Sequence, residues 1–108
     1  MSEVGSDGFV RAVGVGDVDE GDATTVVVNG RELAIVNDGG EFRAVDALCP
    51  HQEGPLGEGF VQAGCVVCPW HHWEFDLKTG EYLDDPTISV RTYETRVEGD
   101  DVFVKVDA

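Results

Sequence analysis

Positive charge is what this 108-residue chain has least of: two lysines and five arginines stand against 22 acidic side chains, a formal charge of −15. Such a surface repels polyanions, and no nucleic-acid partner is expected. Long apolar runs are missing as well. Val26-Val27-Val28 is the longest run of β-branched aliphatic residues, and residues 1–7 contain no basic region, twin arginine or apolar core. Neither a membrane span nor an export leader is expected, and the chain reads as a soluble, cytoplasmic protein. No segment of ten or more residues has a helical period, and no repeat or linker interrupts the chain. A Gly-x-Gly-x-x-Gly fingerprint is also absent, so reducing power for any redox role must come from another protein.

The residues that are abundant point to strands. Hydrophobic residues make up 42% of the chain, with eighteen valines against one methionine. That is too apolar for a disordered chain, and valine among recurrent glycines favours β-structure. One domain spanning residues 1–108 is expected. Phe9 to Val13 reads as a first strand. Thr24–Val28 and Arg31–Val36 flank Asn29-Gly30, a strong hairpin signal, and Asn37–Gly40 turns into Glu41–Ala47. Further on, Gly59–Val61 and Cys65–Val67 form a short hairpin, as do Glu74–Leu77 and Glu81–Leu83. Ser89–Val97 pairs with Val102–Val106.

The acidity is spread along the chain: −5 over residues 1–22, −2 over 23–48, −3 over 49–75 and −5 over 76–108. A uniform acidic coat resembles proteins of near-saturated salt, where self-repulsion is screened, and a halophilic host is the favoured reading. An acidic docking face for a basic redox partner would instead concentrate charge near the site.

Chemistry concentrates in two short runs, Cys49-Pro50-His51 and Cys68-Pro69-Trp70-His71, with sixteen residues between His51 and Cys68. Each offers one thiolate and one imidazole, and a proline fixes φ directly after each cysteine. A metal centre is the common reading. Zinc fingers usually group a cysteine pair before a histidine pair, whereas here the two alternate. Alternation suits a two-iron cluster in which two cysteines hold one iron and two histidines the other. A structural Cys2His2 zinc site remains the alternative.

The spacing Cys-x-His, a gap in the mid-teens, then Cys-x-x-His is similar to that of the Rieske [2Fe-2S] family. Gly54-Pro55-Leu56-Gly57-Glu58-Gly59 and Trp73-Glu74-Phe75-Asp76-Leu77-Lys78-Thr79-Gly80-Glu81 resemble that family's flanking runs, and the similarity covers roughly residues 40–106. It implies an all-β fold: a Rieske-type antiparallel β-sandwich base with a small cluster-binding subdomain of two ligand hairpin loops, at about residues 48–86. It implies one [2Fe-2S] cluster, with Cys49 and Cys68 on the buried iron and His51 and His71 on the outer one. Two cysteines so used leave no pair for a disulfide.

High-potential members of the family carry a disulfide between the ligand loops and Ser and Tyr hydroxyls donating to sulfur. The matching positions here are Gly54 and Trp70, Trp73 and Phe75. The resemblance therefore implies a potential near the bottom of the Rieske range, about −150 mV. His72 stands where the family usually has glycine, and it reads as an exposed side chain at a turn. Cys65 reads as a core thiol, Trp70 and Trp73 as an apolar rim, and Asp84-Asp85-Pro86-Thr87 as a proline-containing third loop over the cluster.

The function implied is a soluble low-potential ferredoxin, without catalytic residues of its own. It would take one electron at a time from a flavin-dependent reductase to a terminal oxygenase or other acceptor. Two alternatives stand beside it: the Rieske-like small subunit of an NADH-dependent nitrite reductase, and a zinc-stabilised or cluster-free interaction module. A self-sufficient oxygenase is excluded by count, because three histidines cannot serve both the cluster and a second, two-histidine iron site.

Overall fold

The computed structural model describes residues 8–47, 55–70 and 72–106. Among these residues there are eleven strands and no α-helix. The strands are β1 (Phe9–Gly14), β2 (Ala23–Val28), β3 (Arg31–Asp38), β4 (Glu41–Asp46), β5 (Phe60–Gln62), β6 (Cys65–Val67), β7 (Glu74–Asp76), β8 (Glu81–Tyr82), β9 (Asp85–Ser89), β10 (Thr92–Glu98) and β11 (Asp101–Lys105). They form a six-stranded sheet in the order β1-β11-β10-β4-β3-β2 and a five-stranded sheet in the order β5-β6-β7-β8-β9, with every pairing antiparallel. The larger sheet is the expected base; the smaller one carries the candidate site.

The expected hairpins form for local reasons. Asn29 (φ 53°) and Gly30 (φ 78°) both take left-handed conformations, as a two-residue turn between β2 and β3 requires. Ala63 (φ 52°) and Gly64 (φ 80°) make the same kind of turn between β5 and β6. β3 explains how the two sheets stack. Its run Leu33-Ala34-Ile35-Val36 is buried on both faces. Leu33 and Ile35 join a core inside the curled larger sheet with Ala44, Val102 and Val104. Ala34 and Val36 face the other way, into a second core with Val45, Leu56, Val66, Cys68, Phe75 and Val90. Fully burying each such side chain contributes about 1.5–3 kcal/mol, so this second core fastens the smaller sheet to the base.

Two expectations about chain path are corrected. Asp84–Thr87 is not a free loop: Leu83 and Asp84 make a turn, and Asp85 opens β9, which pairs with β8 at the outside of the smaller sheet. Pro86 is tolerated there because an edge strand can dispense with one N–H donor. Ser89–Val97 is also not one strand. Val90 turns inward and its N–H donates to the Gly80 carbonyl (2.8 Å), while the Arg91 N–H donates to Asp46 Oδ2 (2.9 Å). The Asp46 N–H donates in turn to the Arg91 carbonyl (3.0 Å). β10 then pairs with β4 through Thr92 and Tyr93 before passing to β11. The smaller module therefore runs to Val90, past the expected boundary at residue 86.

Candidate metal centre

Of the four expected ligands, Cys68 lies within the described residues, and Cys49, His51 and His71 lie outside them. β6 delivers Cys68 into the second core, where it is 1% exposed. Beyond it the chain makes a closed turn. The Cys68 N–H donates to the Trp73 carbonyl (2.8 Å), and the His72 N–H donates back to the Cys68 carbonyl (2.8 Å). Within these six residues the backbone passes from a buried thiol to an exposed His72 at φ 58°. The expectation of a turn there, with the side chain outward, is met at the position where glycine would carry no left-handed penalty.

The segment holding Cys49 and His51 is gathered at its base. The Leu56 N–H donates to the Ala47 carbonyl (2.8 Å), and a 3₁₀ turn, Leu56–Glu58, follows. Two glycines dock this turn. A β-carbon added to Gly57 would overlap Thr25 on β2, and one added to Gly59 would overlap the carbonyl oxygen of Val67 on β6. Leu56, fully buried, packs in the same core as Cys68. The bases of the two segments that hold the Cys/His runs are thus joined.

Strand register separates the two described cysteines. Val66 pairs with Phe75, whereas Cys65 pairs with Asp76 on the opposite face of the sheet. Burial first, then the carboxylates of Asp76, Glu74 and Asp38, push the Cys65 thiol above its ordinary 9.0. A protonated thiol pointing away from Cys68 is a poor ligand, and Cys65 is a core residue as expected.

The aromatic residues expected to form one apolar rim divide into two environments. Trp70 is 57% exposed at the tip of the turn. Trp73 instead lies parallel to Tyr82, with ring centroids 3.9 Å apart and an interplanar angle of 2°. Phe75, fully buried, forms the floor beneath both, at 6.3 Å from Trp73 and 5.7 Å from Tyr82. Tyr82 carries no signal in the sequence beyond its place directly after Thr79-Gly80-Glu81.

The one described donor, Cys68, suits an iron–sulfur centre. A solvent-shielded thiol, not tied up in a disulfide, stands at the foot of a closed turn whose outer residues reach the surface. Thiolate ligands suit such clusters. The surroundings are acidic: no lysine or arginine occurs between Arg43 and Lys78, while Glu58, Glu74 and Asp76 do.

Comparison with known proteins agrees with this geometry. The family model of the Rieske [2Fe-2S] domain matches residues 8–94. The ferredoxin component of the naphthalene 1,2-dioxygenase/salicylate 5-hydroxylase systems of a Ralstonia species is 35% identical over 100 residues, covering 92% of this chain and 96% of its own. The solved ferredoxin of carbazole 1,9a-dioxygenase from Nocardioides aromaticivorans IC177 superposes with a TM-score of 0.81 at 31% identity, covering 92% of this chain and 98% of its own. A Mycobacterium tuberculosis chain described as an NADH-dependent nitrite reductase small subunit gives a TM-score of 0.85 at 26% identity, covering 93% and 96%. With its buried Cys68, its two joined loop bases and a family match across most of its length, the chain belongs to the Rieske [2Fe-2S] domain family.

Proposed function

We propose that this chain is a Rieske-type ferredoxin, carrying one electron at a time from a flavin-dependent reductase to a terminal oxygenase. The observation that carries the reading is the site itself: Cys68 buried at the foot of a turn whose tip, with Trp70 and His72, is open to a partner. In this reading Cys49 and Cys68 hold the inner iron, and His51 and His71 the outer. The cluster supplies a one-electron couple. The chain's own residues shield it from below with Leu56, Val66 and Phe75, and hold the two loop bases together. Its relatives that are ferredoxin components of dioxygenase systems support the same role. Among the described residues no helix is long and apolar enough to cross a membrane.

A low potential follows from what surrounds the site. Phe75 has no hydroxyl to donate to sulfur. Nearby carboxylates disfavour an added electron. The fold likeness to the nitrite reductase chain supports a second reading, as the small subunit of such an enzyme. Two measurements decide. Two iron and two acid-labile sulfide per chain, with the EPR signal of a histidine-ligated cluster on reduction, are expected; colourless protein with stoichiometric zinc would end the reading. Capture from the host at high salt should recover a flavoprotein reductase and an oxygenase, whereas a sirohaem protein would select the second reading.

A further inference from the structure

We propose that Tyr82 is a positioning residue for the metal centre: its ring clamps the Trp73 indole and, through the Trp73 carbonyl, holds closed the turn that carries Cys68. The inference rests on the reading of Cys68 as a cluster ligand.

Register places these groups together. Val66 pairs with Phe75, and Phe75 with Tyr82, across three adjacent strands. Side chains alternate along each strand, so Trp73, two residues before Phe75, falls on the same face, as does Cys68, two residues beyond Val66. Cys68 and Phe75 lie in one core, and Trp73 and Tyr82 pack against it. The Trp73 main chain accepts the Cys68 N–H (2.8 Å) while its ring lies flat on Tyr82 (3.9 Å). One residue thus joins the ligand's backbone to the clamp.

The strands alone are weak supports here. β7 has three residues and β8 two, and they share a single paired position, Phe75 with Tyr82. Backbone bonds on either side of Tyr82 hold it against β7: the Leu83 N–H donates to the Glu74 carbonyl (3.0 Å), and the Gly80 N–H to the Asp76 carbonyl (2.7 Å). Tyr82 is therefore a fixed plate against which Trp73 is held. Tyr82 and Trp73 are both half-buried, whereas Phe75 beneath them is fully buried. Removing the Tyr82 ring opens the flank of the ligand turn to water without hollowing the core. Water access and a loosened Cys68 amide both supply hydrogen-bond donors near the cluster sulfur, which favour the reduced form and raise the potential.

The test uses the full-length, cluster-loaded chain and two variants, Tyr82→Leu and Tyr82→Phe. The readouts are anaerobic iron loss to EDTA, potential by voltammetry and the EPR spectrum of the reduced protein. Tyr82→Leu is expected to lose iron about tenfold faster, with an upward shift in potential and altered g values; Tyr82→Phe, which keeps the ring, is expected to restore all three. Unchanged iron loss and potential in Tyr82→Leu would overturn the proposal, as would a Tyr82→Phe variant as impaired as Tyr82→Leu. Should Tyr82→Leu not fold, Trp73→Leu removes the same stack from the other side, with the same expected losses, and wild-type behaviour there would equally overturn it. Iron and sulfide analysis of the wild type comes first: zinc in their place would overturn the metal-centre reading itself, a failure distinct from that of the clamp.

Discussion

Gly59 lies so close to Val67 that any side chain would strike the Val67 carbonyl oxygen. This contact sews the exit of the first ligand loop to the strand that leads into the second. Gly59→Ala should therefore cost about 1–3 kcal/mol, as overpacking does, because the obstructing atom is backbone and cannot swing aside. Thermal unfolding of the loaded protein checks this; an unchanged midpoint would show that the two loop bases are not rigidly joined.

His72 occupies a left-handed conformation (φ 58°) and its side chain is exposed. His72→Gly should relieve a backbone penalty of about 1 kcal/mol and raise the unfolding midpoint while keeping iron and sulfide at wild-type levels. Loss of the cluster in this variant would transfer the ligand role from His71 to His72.

Much of this could be read in the chain, and the exceptions have a common cause. Asn29-Gly30 and the two Cys/His runs are local signals, complete within a few residues. Arg31–Val36 is legible as a strand of the Asn29-Gly30 hairpin, though not its burial on both faces or which core each residue enters. The split at Val90-Arg91, the Gly59–Val67 approach and the Trp73–Tyr82 stack depend on partners that only the register of distant strands supplies. Trp70 and Trp73 look alike in sequence as a rim, yet Trp70 is exposed and Trp73 is clamped.

The potential should fall near the bottom of the Rieske range, about −150 mV. Phe75, fully buried on the Cys68 face of the sheet, offers a direct probe: Phe75→Tyr brings a hydroxyl donor toward that face and should raise the potential. Voltammetry of both proteins decides, and a wild-type value above zero would contradict the low-potential assignment.

Alkaline stability is set in part by Cys65. Burial, aided by Asp76, Glu74 and Asp38, raises its thiol above the ordinary 9.0. In the unfolded chain that thiol ionises near its ordinary value, while the folded chain still keeps its proton. The stability from this source is complete below about pH 9 and is lost as pH rises through the raised value. Tyr93, pushed up by burial and by the hydrogen bond its hydroxyl donates to Asp46, acts in the same direction at higher pH. Unfolding midpoints of Cys65→Ala should fall less steeply above about pH 9 than those of the wild type; parallel curves would remove Cys65 from the account.

Salt should stabilise the protein. Acidic side chains such as Asp19, Glu20, Glu32, Glu58, Glu81 and Asp100 are exposed, and few cations are available to pair with the excess. Their mutual repulsion is screened as the Debye length shrinks from about 10 Å at 0.1 M to about 3 Å at 1 M. The unfolding midpoint is expected to climb between low and molar KCl; a flat response would count against a coat adapted to high salt.

The paired bonds between Asp46 and Arg91 have a further consequence. The segment that carries the candidate metal centre starts and ends beside this one hydrogen-bonded point, and it rests on the base through the second core and the bond from the Val61 N–H to the Gly21 carbonyl (2.9 Å). In construction it is a cassette, its two ends already side by side on neighbouring strands of the base. Exchange for the insert of another Rieske chain would leave the strand order of the host sheet as it is, whereas cutting it to a simple turn would expose Ala34, Val36 and Val45. The base thus serves as a common socket, and the character of the electron carrier resides in what is plugged into it.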